Sequence, residues 1–315
     1  MFSKRLSCLC AFYCISPLHA GSGQATGAVD LPIHRERHTG WPHVQASGVK
    51  GAFRHWFQRY YENNGAPSVD KDDQAFKLTN RIFGADETGE DLAGQAGAVV
   101  FSDARLLAFP VRSSIAPFVW VTCPAALDRL QRDLQLVDMQ LAIPRVKLTK
   151  DDSYLCVNGA LSQDIVLEDL AVSCDEAGYK EEIAQLQKAF HRIAPDLERL
   201  VLVSDQHFSF LVRTATEVQP QIRINAATGT ADEGSLRYQE LLPADSFLYS
   251  VVFFDAERVE DRSKQEDAVL AAEAIKDYVT KAVSTHIQMG GDATLGRGLM
   301  KVKWLPETGN GGGAI

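Results

Sequence analysis

The stretch KRLSCLCAFYCIS, residues 4–16, admits two readings, and the fold turns on the choice between them. Two basic residues, an apolar run and the small-residue segment PLHAGSG behind it have the zones of a secretory signal peptide. The same apolar run, ending at Ser16 and Pro17, fits a strand buried on both faces and is far too short to cross a bilayer as a helix. The cysteines favour the strand. Cys8, Cys10 and Cys14 would leave with a leader, and Cys123, Cys156 and Cys174 would remain as an odd, widely spaced set that makes a poor disulfide framework. The expectation is a first strand over about 6–15 in a cytoplasmic chain that keeps its N-terminus, with no membrane partner.

A chain of 315 residues, 45% hydrophobic, can bury a large core in one or two domains. Its 32 Lys and Arg against 41 Asp and Glu leave a net charge of -9, which argues against even coating of a polyanion. Distribution overrules the sum locally. Between residues 34 and 54 the charges are Arg35, Glu36, Arg37, Lys50 and Arg54, a basic window in an acidic chain whose acids gather in 175–198 and 255–277. No CxxC or paired Cys/His spacing suggests a zinc finger.

Outward from the first strand, HAGSGQATGAVDLPIHRERHTGWP (19–42) has neither helical nor strand period, and ASGVKGAFRHWFQRYYE then starts a helix with Ser47 as N-cap and Val49, Phe53, Trp56, Phe57 and Tyr60 on one face. Residues 63–95 read as an exposed, acidic insertion. AVVFSDARLLAFPVRS and APFVWVTCP read as strands, 124–136 and YKEEIAQLQKAFHRI as helices, and RLVLVSDQHFSFLVRT as strand-like. A long hairpin follows over 223–240, within an insertion of about 213–243, then the strand SFLYSVVFF, a helix over about 265–286, a glycine-rich turn entering a last strand, and a disordered tail, 306–315. This order suggests an α+β domain over 1–305 with a mostly antiparallel sheet built from ferredoxin-like units.

Two glycine motifs have better-known lookalikes. GSGQATG is one residue too long for the dinucleotide fingerprint, and no helical stripe follows it. GGDATLGRG places Gly291 and Gly296 at phosphate-loop spacing, but Arg297 and Gly298 replace the Lys and the hydroxyl that the loop needs, and a strand follows. Both remain loops whose backbone N–H groups a phosphate can approach, or ordinary turns.

A histidine before a glycine-rich loop, then VDLPIHRERHTGWP, GVKGAFR, VVFSDARLLAFPVRS, WVTCP and GGDATLGRGLMKVKW, occur in the order found in the backbone subunit of the type III-B CRISPR effector, the Cmr complex. The chain resembles that RAMP (repeat-associated mysterious protein) family over nearly its whole length. The resemblance implies a modified ferredoxin-like, RNA-recognition-motif-like palm with a β-hairpin thumb. It implies stacking of copies along guide (CRISPR) RNA beside other effector subunits, and divalent-metal-dependent cutting of bound target RNA, with Mg or Mn as the ion.

The same resemblance gives Asp30 the position of the residue essential for cutting, as metal ligand or base, and brings in His19 as the acid, histidine being able to pass protons near neutrality. Unmatched, Asp30 would be read as an Asx turn and His19 as a satisfied strand-end histidine. Tyr238 and Glu240 at the hairpin base are further candidates. Lys50 and Arg54, one turn apart at a helix start with Ser47 and Gly51, suit an RNA phosphate or a solvated helix face. Arg112, Ser113, Gly296, Arg297 and Gly298 follow the same logic, whereas Arg35, Glu36, Arg37 and His38 fit either RNA contact or an internal ion-pair network. The readings that compete are a guide-dependent endoribonuclease, a non-catalytic RNA-binding scaffold of the same assembly, and a secreted binding protein.

Overall fold

The computed structural model describes residues 6–65, 74–85, 95–175, 178–258 and 268–306. In chain order the first half comprises β1 (Ser7–Cys14), β2 (His43–Val44), α1 (Ala46–Asn64), α2 (Gln74–Phe83), β3 (Val99–Phe101), β4 (Ala104–Val111), β5 (Val119–Thr122) and α3 (Pro124–Leu136). The second half comprises β6 (Ser153–Asn158), β7 (Ile165–Leu167), β8 (Leu170–Cys174), α4 (Lys180–Ile193), β9 (Leu200–Leu202), α5 (Asp205–Thr214), β10 (Glu217–Gln221), β11 (Arg237–Leu241), β12 (Phe247–Phe254), α6 (Ala272–Ala282), β13 (His286–Gln288) and β14 (Leu299–Leu305).

The apolar run at the N-terminus is β1, paired antiparallel with β12 on one edge and β14 on the other, so that Cys10 faces Ser250 and Trp304. Cys8, Cys10, Phe12 and Cys14 point into one core and Leu9 and Ala11 into a second on the opposite face. Burial on both faces explains why the strand is apolar throughout instead of alternating. The sheet runs β13-β14-β1-β12-β4-β5-β9-β6-β8-β7, with β2 added to β4 and β3 to β12. Within it β14-β1-β12-β4, crossed by α1 and α6, is the antiparallel β-α-β-β-α-β arrangement of a ferredoxin-like unit.

The first core takes its helical side from α1, α2, α5 and α6, through Phe53, Phe57, Ile82, Phe208, Leu211, Ile275 and Val279. The second takes it from α3 and α4, through Leu127, Leu130, Leu134, Leu186 and Phe190. Both ends of α3 match the sequence, because Pro124 sits in its first turn where a missing N–H costs nothing.

Four expectations need correction. Ser47 is not the N-cap of α1: Gln45 holds that place and the Ala46 N–H donates to Asp103 Oδ1 at 2.7 Å. Part of the 63–95 insertion is α2, whose Leu78, Ile82 and Phe83 are buried; residues 66–73 and 86–94 lie outside the described residues. RLVLVSDQHFSFLVRT is strand only over β9 and then helix α5, capped by Ser204 Oγ accepting from the His207 N–H. The last helix, expected over about 265–286, spans Ala272–Ala282, and His286 opens β13; 265–267 and the tail 307–315 lie outside the described residues. A separate two-stranded ribbon, β10 with β11, is the base of the expected hairpin, and 222–236 form its tip.

Phe12 is fully buried where the sheet meets α1. Phe12→Ala should cost about 3–5 kcal/mol by chemical denaturation, and removal of residues 1–20 should abolish cooperative unfolding, because the facing edges of β12 and β14 lose their common partner. The solvent-facing Ile15→Ala should stay within about 0.5 kcal/mol of the parent.

Candidate active site at the hairpin base

One edge of β11 pairs with β10; the other carries the candidate site. Along that second edge the Tyr238 N–H donates to Asp30 Oδ2 at 2.7 Å, and the Leu31 N–H donates to the Tyr238 carbonyl at 3.0 Å. The Glu240 N–H donates to the Leu31 carbonyl, and Leu18 and Leu242 exchange both backbone bonds. Between these the Glu240 carbonyl meets His19 Nδ1 at 2.9 Å. A carbonyl only accepts, so Nδ1 carries the proton and Nε2 is left for other chemistry. Asp30 and His19, eleven residues apart in the chain, thus hang from backbone groups of residues 238 and 240, a separation of about 7 Å along a strand.

In the loop between them Gly23 adopts φ 97°, and Gly21 passes close to His19. A Cβ at Gly21 would lie 2.6 Å from His19 Nε2, so a side chain there would have to displace the imidazole. The Ser22 N–H bonds the Pro32 carbonyl and the Ala25 N–H the Asp30 carbonyl, which closes the loop and leaves 21–28 exposed.

Glu240 lies at the site without being free to react. Its buried carboxylate accepts from Arg35 Nη2 at 2.5 Å, Thr216 Oγ1 at 2.8 Å and the Ile33 N–H at 3.0 Å. Arg35 also donates to the carbonyls of Gly40 and Val212. Glu36 pairs with Arg129, whose guanidinium lies 5.1 Å from the centre of the Trp41 ring, and accepts from Thr39. Burial raises the Glu36 carboxyl, but hydrogen bonds from Thr39 and Arg129 outweigh it and hold the group below its ordinary value. The RERHTGW segment is therefore an internal clamp. Of its charges only Arg37 and His38 face outward, with His38 3.8 Å from Glu36.

The cations expected to meet RNA divide in the same way. Arg54 donates to the Gly84 carbonyl and to Asn80 Oδ1, and so closes the C-terminal end of α2. Arg297 is spent on Asp292, Gln239 and Gln219. Arg112 pairs with Glu168 at 3.1 Å while staying largely exposed, and Ser113 bridges Leu167. Gly298, at φ 70°, is needed because a Cβ would sit 1.8 Å from the Met289 carbonyl oxygen, whereas nothing approaches Gly296. Lys50 is different. Its ammonium is lowered from its ordinary value by burial and by Arg54 and Arg258 nearby, so the charges acting on it are cations. Ser47 and Gly48 are exposed in the first turn of α1, where N–H groups have no intrahelical partner, and Gly51 is exposed one turn further on; the Ala46 N–H is already taken by Asp103. Lys50, Ser47 and Gly51 lie together at the start of α1 with their side of the helix exposed or half-buried, whereas Arg54, Arg35 and Arg297 are held by internal partners.

Among the described residues no three His, Cys, Asp or Glu side chains gather as a metal-ligating group. Asp30, with one oxygen committed to Tyr238, does not fit a resident divalent site on its own. Sequence reasoning passed over Gln239, Gln219, Asp292, Asp103 and Arg129, because polar residues that act on each other across the fold leave no local spacing to read.

A ferredoxin-like palm with an inserted hairpin and a glycine-rich turn against the first strand is the build of an RNA-handling RAMP protein. The chain belongs to the RAMP superfamily, whose model matches residues 11–301. It is similar to the CRISPR system Cmr endoribonuclease Cmr4 of Pyrococcus furiosus, 33% identical over 309 residues that cover 96% of this chain and 97% of that one. It is also 22% identical over 325 residues to the CRISPR system CMR subunit Cmr4 of Saccharolobus solfataricus, covering 93% and 94%. Its fold matches that of oligomeric Cmr4 from P. furiosus in the crystal, with a TM-score of 0.67, 24% identity and 95% and 97% coverage. A chain of the type III-B Cmr-beta complex bound to cognate target RNA gives a TM-score of 0.69 at 19% identity, covering 96% and 98%.

Arg54→Ala should lower stability by about 1–2 kcal/mol, since it leaves Asn80 and the end of α2 without a donor. Lys50→Ala should leave the thermal midpoint close to the parent, and equal losses for the two would contradict this division of roles.

Proposed function

We propose that this chain is the target-cutting backbone subunit of a type III-B CRISPR effector: it binds guide RNA beside copies of itself and other effector subunits, in the cytoplasm, and cuts complementary target RNA at regular intervals. The observation that carries the reading is the attachment of Asp30 and His19 to one edge of β11, at the base of the hairpin and beside an exposed loop. The relative's description as an endoribonuclease and the likeness to a chain of a target-bound complex support it. Among the described residues no helix is long and apolar enough to cross a membrane.

The chemistry follows from the two anchored groups. Cutting RNA requires removal of a proton from a 2′-hydroxyl, attack of that oxygen on phosphorus, and protonation of the departing 5′-oxygen. The free carboxylate oxygen of Asp30 takes the 2′ proton. As the 2′-O–P bond forms and the P–O5′ bond breaks, protonated His19 gives its Nε2 proton to the leaving oxygen. Tyr238 contributes through its backbone, which holds Asp30, and its half-exposed ring is a surface for the RNA. Glu240 contributes by fixing Arg35 and Ile33. A divalent ion, Mg or Mn, would come with the RNA, where phosphate oxygens and water would hold it and its charge would offset that of the phosphate.

Asp30→Ala in reconstituted complex should leave guide assembly and target binding near the parent level and slow single-turnover cleavage by about a hundredfold or more. Lys50→Ala should weaken RNA binding whatever the sequence and lower the salt slope by about one. Full-rate cutting by assembled Asp30→Ala would leave the chain a scaffold.

A further inference from the structure

We propose that Arg297 is a positioning residue for RNA cutting: it locks the middle of β11 so that Asp30 and His19 stand at a fixed separation. The inference rests on the reading of Asp30 and His19 given above. Gln239 lies between Tyr238, which holds Asp30, and Glu240, which holds His19. Its side chain is 2% exposed. Arg297 Nη1 donates to Gln239 Oε1 and, at 3.2 Å, to Asp292 Oδ2. Gln239 Nε2 donates to the same Asp292 oxygen at 2.7 Å, and Arg297 Nη2 reaches Gln219 Oε1 on β10 at 2.9 Å. One guanidinium thus grips both arms of the hairpin.

The turn that carries Arg297 is fixed to His19 by its backbone. The Gly291 N–H donates to the His19 carbonyl at 2.9 Å, and the Gly298 N–H to the Pro17 carbonyl at 2.9 Å. Gly290 approaches so closely that a Cβ would lie 2.5 Å from the His19 carbonyl oxygen. His19 is therefore held by the turn through its backbone and by β11 through its ring, Asp30 by β11 alone, and Arg297, together with the Gln239–Asp292 bond, ties the turn to the strand. The Arg297 side chain is 12% exposed and its guanidinium donates to Gln239, Asp292 and Gln219, a poor arrangement for a phosphate contact. The fold does not depend on it, because the Leu18–Leu242 and Leu31–Gln239 bridges hold the edge independently.

The test uses the reconstituted guide-bound complex with labelled target, and the purified full chain for amide exchange. Arg297→Met should slow single-turnover cleavage about tenfold to a hundredfold, because a displacement on the order of 1 Å is enough for such a loss. Target affinity and its salt slope should not change. Gln239→Met should act in the same direction, Arg297→Lys should recover part of the rate, and Arg297→Met in a His19→Ala background should add little. In the isolated chain Arg297→Met should speed exchange of the Tyr238 amide, which Asp30 holds, with the thermal midpoint within a few degrees. If Asp30→Ala cuts normally, the nuclease reading fails, and Tyr238 exchange still decides whether Arg297 positions the edge. An unchanged rate with unchanged exchange would overturn the proposal. So would a loss of affinity with a salt slope smaller by about one, since that marks a phosphate contact.

Discussion

A β-strand must satisfy two rows of backbone hydrogen bonds, and the way β11 does so organises the candidate site of this protein. One row is met by β10. The other is met by pieces of chain that are not strands: Leu18, His19, Asp30 and Leu31. Because N–H and C=O groups alternate along an edge at fixed intervals, they work as a ruler against which two side chains far apart in sequence are set side by side. Loops ordinarily place side chains loosely; bonding them to a strand edge gives them the precision of the sheet.

That arrangement requires the neighbouring charges to be neutralised from inside. Glu240 is buried directly under the edge, and a carboxylate there without partners would cost several kcal/mol. Arg35, Thr216 and the Ile33 backbone satisfy it and draw the loop onto the hairpin. Arg297 with Asp292 does the same from the other side. Arg35, Arg54 and Arg297 are thus taken by internal partners, while Arg37 faces outward and Lys50 stands among cations at the start of α1.

Elements with a strong local period were legible in the sequence. The unbroken apolar run of β1, the stripe of α1 and the proline at the start of α3 each carry their cause in adjacent residues. Residues 200–214 were not, because a three-residue strand and a ten-residue helix share one apolar stretch and only Val203 and Ser204 lie between them. Asp30 and His19 stand in family motifs, but their common anchor left no trace in the sequence: hydrogen bonds from residues 19 and 30 to residues 238 and 240 have no sequence period. The same limit explains Arg54 and Arg297. Each stands in a motif that suits phosphate, and each is taken by acceptors that folding brings near.

The most direct measurement is a high-resolution structure of the guide-bound assembly holding a target whose scissile 2′-hydroxyl is replaced by hydrogen, so that the uncut strand stays in place. The account predicts the scissile phosphate between His19 and Asp30, with the 2′ carbon turned to the carboxylate and the 5′-oxygen within about 3 Å of His19 Nε2. A scissile phosphate lying away from the β11 edge, with neither group in reach, would contradict it.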